Sequence, residues 1–217
     1  MFSLAKNLEE EVFHGKANDR DKFENAKKEE IEKWNHMGVF EEVDDLGQET
    51  ISTRWVCTEK IKGDTVVLKA RLVARGFEED TTQIKTDSPT CSKDSLRIAL
   101  AIAASKGWNV KTLDIKSAYL QGHEIERDIF IKPPKLANTS KLWKLRKNVY
   151  GLNDSGRQWY MRLTEEVIKS GCKQCKYDLA VFSCVGLDNN LSGLLLVHVD
   201  DITVLEIYPC TMGNSYA

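Results

Sequence analysis

A chain of 217 residues with 41% hydrophobic and 29% charged residues is long enough to bury a real core and too apolar to be an unstructured tail. No apolar run reaches bilayer-spanning length, and the N-terminal Met1-Phe-Ser-Leu-Ala-Lys-Asn7 lacks the apolar centre of a signal peptide, so an intracellular, non-membrane protein is expected. Net charge is −2, but residues 1–50 carry 14 acidic against 7 basic side chains while the remainder carries 19 against 24, leaving a mildly basic body of the sign a nucleic-acid groove needs. In that compartment the six cysteines, Cys57, Cys91, Cys172, Cys175, Cys184 and Cys210, are expected as reduced, mostly buried thiols.

Residues 1–20 show weak periodicity and read as a loose lead-in, partly disordered. From Asp21, Phe23, Ala26, Ile31, Trp34 and Met37 predict one apolar face of a helix that ends at Gly38. Val39–Val43 follows as a short strand. Thr53–Ile61 and Val66–Arg75 then alternate in strand fashion around Lys62-Gly63-Asp64, which predicts a hairpin. Period two puts Lys69, Arg71 and Arg75 on one face of its second strand. Such a stripe suits phosphates, although a plain solvated strand face carries the same pattern.

After a polar loop over Gly76–Pro89, a Ser92 cap and a closing Gly107 bracket an alanine-rich helix. Trp108–Ile115 is strand-like and delivers Asp114 near its C-terminal end, beside a helical turn predicted over Lys116–Gly122. A carboxylate there suits a metal, but it also suits a helix cap. Short strands are predicted at Ile129–Ile131 and Leu142–Leu145, and Trp159, Leu163 and Val167 mark a helix face ended by Gly171. The final core strands are Ala180–Cys184 and the run from Leu194. Within that last run Asp200 and Asp201 interrupt apolar residues on both sides, which predicts a hairpin with acids at its tip. Carboxylates displayed together repel, and magnesium is the usual compensation; a solvated Asp-Asp turn is the plainer alternative. With no repeat or linker, one mixed α+β body with a hairpin-rich annex is expected.

Five segments occur in a telling order: Lys69-Ala-Arg-Leu-Val-Ala-Arg-Gly-Phe77, Leu113-Asp-Ile-Lys-Ser-Ala-Tyr-Leu-Gln-Gly122, Val149-Tyr-Gly-Leu152, Arg157-Gln-Trp-Tyr160 and Val199-Asp-Asp201. The chain resembles the reverse transcriptases of Ty1/copia-type retrotransposons from about Asp21 to Val204. The resemblance implies right-hand polymerase fingers and a partial palm over residues 21–205, with a ferredoxin-like palm sheet carrying helices on one face, and a divergent tail over 206–217. It implies RNA-directed DNA polymerisation on an RNA template and a DNA primer with deoxynucleoside triphosphates, in a cytoplasmic particle or the nucleus. Asp114, Asp200 and Asp201 would be the catalytic carboxylates, holding two Mg2+ ions, or Mn2+, with the Ile115 carbonyl as a further ligand. Tyr119 would exclude a 2′-hydroxyl, Lys69 and Arg71 would contact the triphosphate, Ser117, Tyr150 and Gly151 would line the nucleotide pocket, and Arg75 would contact nucleic acid.

The sequence departs from that pattern in places. His198 stands where relatives have Tyr. Gly151-Leu-Asn-Asp-Ser-Gly-Arg157 replaces Gly-Leu-Lys-Gln-Ala-Pro-Arg, so Gly156 is expected to loosen the turn and Asp154 to put negative charge near the template path. The residues after Val204 leave the family pattern, which predicts a C-terminally truncated polymerase, weak or inactive; the alternative is a catalytically dead remnant that at most binds nucleic acid through Lys69, Arg71 and Arg75. A third reading is a zinc-stabilised module in which Cys172 and Cys175 have knuckle spacing and Cys184 or His198 completes the set. His14, His36 and His123 show no partner pattern.

Overall fold

The computed structural model describes residues 11–14, 21–80, 82, 84–186 and 188–206. In chain order its elements are β1 (Glu11–His14), α1 (Glu24–His36), β2 (Phe40–Val43), β3 (Thr50–Ile51), β4 (Thr53–Lys62), β5 (Thr65–Ala74), α2 (Lys93–Lys106), β6 (Asn109–Asp114), β7 (Phe130–Ile131), β8 (Leu142–Leu145), α3 (Ser155–Lys169), β9 (Lys173–Gln174), β10 (Val181–Val185), β11 (Leu191–His198) and β12 (Asp201–Glu206). The mixed α+β class expected from sequence is therefore present. Two compact units share the chain: one takes residues up to Ile84 together with Glu124–Ser155, the other Lys85–His123 together with Gly156 onward.

The first unit contains two sheets. In one, β4 and β5 form a long antiparallel hairpin, register Thr53↔Ala74 to Lys62↔Thr65, and β1 adds to β4 in parallel. Residues 1–10 and 15–20 of the expected lead-in lie outside the described residues, but β1 shows that part of this stretch is a strand. The hairpin follows its alternation: Trp55, Cys57, Ala70, Leu72 and Ala74 are buried, and the residues between them are not. At helix α1 the expected stripe is borne out at Phe23 and Trp34 only. Phe23, Lys27, Glu30 and Trp34 are buried, while Ala26, Ile31 and Met37 are only half-buried. The buried charges are partnered, because the Trp34 indole N–H donates to Glu30, Lys33 pairs with Glu30, and Lys27 lies over the Trp55 ring at 5.8 Å. The second sheet runs β2-β8-β7-β3 and packs Phe40 on Trp143, their ring centroids 3.8 Å apart.

The second unit is built on one five-stranded sheet in the order β6-β12-β11-β10-β9. Along β11 and β12 the core splits by parity. Leu195, Val197, Ile202 and Val204 pack with Trp159, Leu163 and Val167 of α3, whereas Leu194, Leu196 and Leu205 pack with Ala99 and Ala103 of α2. Alternate residues point to opposite faces, so the helices lie on both faces of the sheet and not on one. The physical reason is that β11 is buried on each side, from Gly193 through Val197, and each side needs its own apolar cover.

The thiols differ from expectation as well. Cys172 and Cys184 are joined in a disulfide that ties the start of β9 to β10, while Cys91 and Cys175 are free thiols. Burial, with a smaller contribution from Asp178, raises the Cys91 thiol to about 11.

The cap of α2 is the site of one pH-dependent contribution. Ser92 Oγ accepts from the Ser95 N–H, and Asp178 accepts from the Ser92 N–H at 2.9 Å and the Ala180 N–H at 3.1 Å. Burial opposes ionisation of Asp178, but hydrogen bonds from Ser95, Ser92 and Ala180 outweigh it and hold the carboxyl below its ordinary value of 3.8. A depressed carboxyl stabilises the fold above its unfolded pKa and loses that contribution as pH falls through the folded value. Asp178→Ala should therefore lower unfolding free energy at pH 7 by about 1–3 kcal/mol. Urea titrations at pH 7 and pH 3 should show the gap to the parent protein narrowing at the lower pH.

Candidate active site

The tip of the β11–β12 hairpin is a two-residue turn. His198 pairs with Asp201, which leaves Val199 and Asp200 to reverse the chain. Right-handed strand twist favours a turn whose first residue has positive φ, and Val199 supplies it at φ +60°. A β-branched side chain in that conformation costs about 1–3 kcal/mol and persists only where its surroundings over-determine it. Two contacts do so here: the Trp159 indole N–H donates to the Val199 carbonyl at 2.8 Å, and the Ile115 N–H donates to the Asp200 carbonyl at 2.9 Å.

The second contact joins the hairpin to the strand that carries the other predicted carboxylate. Strand β12 pairs with β6 over six positions, and the last pair is Asp201↔Asp114. Directly opposed residues in an antiparallel pair place their Cβ atoms about 4.5–5.5 Å apart, where like charges destabilise the sheet. Asp200 is one residue away in the turn. Among the described residues no three His, Cys, Asp or Glu side chains form a ready cation cage. The donor set that register assembles is nonetheless all carboxylate and exposed or half-exposed, the chemistry that suits a hard divalent cation keeping some of its water.

Beyond Asp114 the chain turns through Ser117, which at φ +56° is a second residue without glycine's freedom held left-handed, into a 3-10 turn over Ala118–Gln121. Ala118 and Leu120 are buried there. Tyr119 is half-buried, and burial first and the Asp200 charge second raise its phenol above the usual range. Asp114, Ile115, Ser117, Tyr119, Asp200 and Asp201 thus belong to one unit.

The other predicted residues, Lys69, Arg71, Arg75, Tyr150 and Gly151, belong to the first unit. Arg71 lies over the Tyr150 ring at 5.5 Å. Burial, then the charges of Arg71, Lys60 and Lys33, lower the pKa of Lys69, so this face concentrates positive charge. The end of β5 is fastened to the Tyr150–Gly151 turn, the Ala74 N–H donating to the Tyr150 carbonyl at 2.8 Å and the Gly76 N–H to the Gly151 carbonyl at 3.2 Å. Gly151 has φ +95°, and a Cβ there would overlap the Ala74 carbonyl oxygen; a Cβ on Gly76 would overlap the Gly151 oxygen.

Several expectations are corrected. Asp154 does not put free charge near a template path: it is 2% exposed and held by Arg127 through two hydrogen bonds of 2.8 Å. Gly156 does not loosen a turn, because it lies in the first turn of α3 with Ser88 against it. Cys172 and Cys184 bond to each other, which removes both from the zinc set. His123 fits the reading of a satisfied histidine, with Glu165 at 3.0 Å. Sequence reasoning also missed the role of Trp159. Its place in the Arg157-Gln-Trp-Tyr160 segment was the available signal, yet helical periodicity accounted for it as core alone.

Two substitutions test this geometry. Trp159→Phe keeps the ring in the core but removes the donor to Val199, and should cost about 1–2 kcal/mol of stability while speeding amide exchange at the hairpin tip. Gly151→Ala should cost more than about 2 kcal/mol, through overlap as well as strain. Gly171→Ala is the control for strain alone, since it has a similar φ of +94° with nothing within 4 Å of the added carbon. Denaturant unfolding of the three variants distinguishes the effects.

Residues 39–208 match the family described as reverse transcriptase (RNA-dependent DNA polymerase). The chain is 31% identical over 173 residues, 76% of its length, to the retrovirus-related Pol polyprotein from transposon RE1 of Arabidopsis thaliana. It is likewise 31% identical over 211 residues, 92% of its length, to that from transposon TNT 1-94 of Nicotiana tabacum. It spans 12% and 15% of those relatives. With most of its length inside that match, the chain belongs to the reverse transcriptase (RNA-dependent DNA polymerase) family.

Proposed function

We propose that residues 21–205 are the fingers and part of the palm of an RNA-directed DNA polymerase, with the five-stranded sheet as palm and the β4–β5 hairpin as fingers. Residues 1–20 are then a lead-in and residues 206–217 a tail. The observation that carries this reading is the register of β12, which sets Asp201 opposite Asp114 and leaves Asp200 in the turn bonded to Ile115. Directly opposed carboxylates weaken a sheet unless something positive is held between them.

The reaction is attack of a primer 3′-hydroxyl on the α-phosphate of a deoxynucleoside triphosphate, with pyrophosphate leaving. Asp114, Asp200 and Asp201, with the Ile115 carbonyl, would hold two magnesium ions. Cations bound there supply what carboxylates cannot, a more acidic 3′-hydroxyl and an offset for triphosphate charge. Tyr119 stands beside Asp200, where a half-buried ring can meet the sugar and refuse a 2′-hydroxyl; Ser117 opens the same turn. In the first unit Lys69 and Arg71 are assigned to the triphosphate. A phosphate there would offset the burial and, after it, the neighbouring positive charges that lower the pKa of Lys69, and the Tyr150 ring keeps the Arg71 guanidinium oriented. Gly151 and Tyr150 line the nucleotide side, and Arg75 faces nucleic acid.

Primer extension on poly(rA)/oligo(dT) with magnesium tests the proposal. The parent protein should incorporate dTTP, and the Asp200→Asn, Asp201→Asn double variant should fall to background with its unfolding midpoint unchanged or raised. A parent protein that binds the primer–template but incorporates nothing is instead an inactive, nucleic-acid-binding remnant, which sinks the polymerase reading.

A further inference from the structure

Phe77 closes the basic segment that begins at Lys69, yet the chemistry above gives it nothing to do. It is 79% exposed, in a 3-10 turn over Gly76–Glu78. A large exposed aromatic on a loose loop would need no explanation. This turn is not loose. The Gly76 N–H donates to Gly151, and Asn153 Nδ2 donates to the Gly76 carbonyl at 2.6 Å. Ser52 donates to both Glu78 carboxylate oxygens, from N–H and Oγ, each at 2.7 Å. Arg127 Nε donates to Glu79 at 2.7 Å, and the same guanidinium is anchored on buried Asp154. Contacts from three other segments therefore hold Gly76, Glu78 and Glu79 on both sides of Phe77 and leave the ring itself open.

The surroundings say what such a ring would meet. Of the three acids that follow it, Glu78 is held by Ser52 and lies 4.0 Å from Arg75, and Glu79 is paired with Arg127, so two of the three negative charges are met by arginines, while Asp80 is exposed. The strand leading into it carries Lys69 and Arg71 on its open face, and Gly76 touches the Gly151 that follows the Tyr150 ring beneath Arg71. A rigid aromatic platform beside ordered cations is the arrangement that binds single-stranded nucleic acid, with the cations on the phosphates and the ring on a base.

We propose that Phe77 is a stacking platform for an unpaired base of the template strand. This rests on the polymerase reading above, and its added content is a named contact to a base. Because every base has a π-face, the contact holds the strand without reading its sequence. Arg127 is then a positioning residue: through Glu79 and Asp154 it fixes the turn from which the ring projects.

The test uses a fluorescein-labelled oligo(rU) strand and an abasic strand of the same length. Phe77→Ala should weaken oligo(rU) binding about 5- to 150-fold, leave the abasic strand's affinity unchanged, and leave the thermal midpoint unchanged because the ring is exposed; Phe77→Tyr should restore binding. All five native tryptophans are buried, so Phe77→Trp adds one exposed indole, whose emission should be quenched by oligo(rU) and not by the abasic strand. Parent protein that binds oligo(rU) with the affinity of Phe77→Ala overturns the stacking proposal and leaves the polymerase reading standing. Equal weakening toward both strands assigns Phe77 to packing or to a protein partner and overturns it too. Parent protein that binds neither strand nor primer–template brings down both proposals.

Discussion

Val199 is held in a conformation that a β-branched residue avoids, and the second unit is arranged so that it has no alternative. Strand twist asks for positive φ at the first residue of a two-residue hairpin turn, and a glycine would give it at no steric cost. Here the strain is carried by valine and countered by ladder bonds on β11 and β12, a tryptophan donor from α3 and an amide donor from Ile115. Ser117 is the same case on the neighbouring strand. The other positive-φ residues apart from glycine, among those described, are Asn138 and Asn189, a residue type that adopts this region readily. Backbone strain without a side-chain excuse is thus confined to the two turns that follow or contain the acidic positions.

The first unit solves a different problem, the crowding of like charge. Burial first, and then the charges of Arg71, Lys60 and Lys33, lower the pKa of Lys69, and the compensation is distributed: Glu30 lies inside the helix face, and Tyr150 lies under Arg71. Arg127 shows the converse arrangement. Burial works against its charge, but hydrogen bonds to Asp154 and Glu79 outweigh burial and raise its pKa above the ordinary arginine range. A buried acid at position 154 is stable because a guanidinium 27 residues away fits it with two parallel bonds.

That last point marks the limit of what the chain discloses locally. The β4–β5 hairpin, α2 with its Ser92 cap, α3 with its Trp159 face and the acidic hairpin were all legible, because period and punctuation are local properties. Asp154 was not, since its meaning depends on Arg127. Nor was the cystine: the spacing of Cys172 and Cys175 drew attention to the wrong pair, while the true partner, Cys184, is brought close by the β9–β10 register, which leaves no mark in the spacing. The face of each helix was hidden for a related reason. Alternation along β11 shows that two sides are buried but not which helix covers which side. In the acidic site the residues were readable one by one, and their adjacency was a product of strand order.

The pairing of β12 on both sides has a consequence for how such a sequence can change. Its partners are β11 and β6, so its alternation is pinned twice. Losing or gaining one codon within β12 would move Ile202 and Val204 from the α3 face to the α2 face and break both ladders together. The exposed connections 44–49 and 63–64 sit in no ladder of that sheet, and length differences there leave Asp114, Asp200 and Asp201 where they are. Insertions and deletions among copies of this element are therefore expected to accumulate in those loops while the strands of that sheet record only point substitutions.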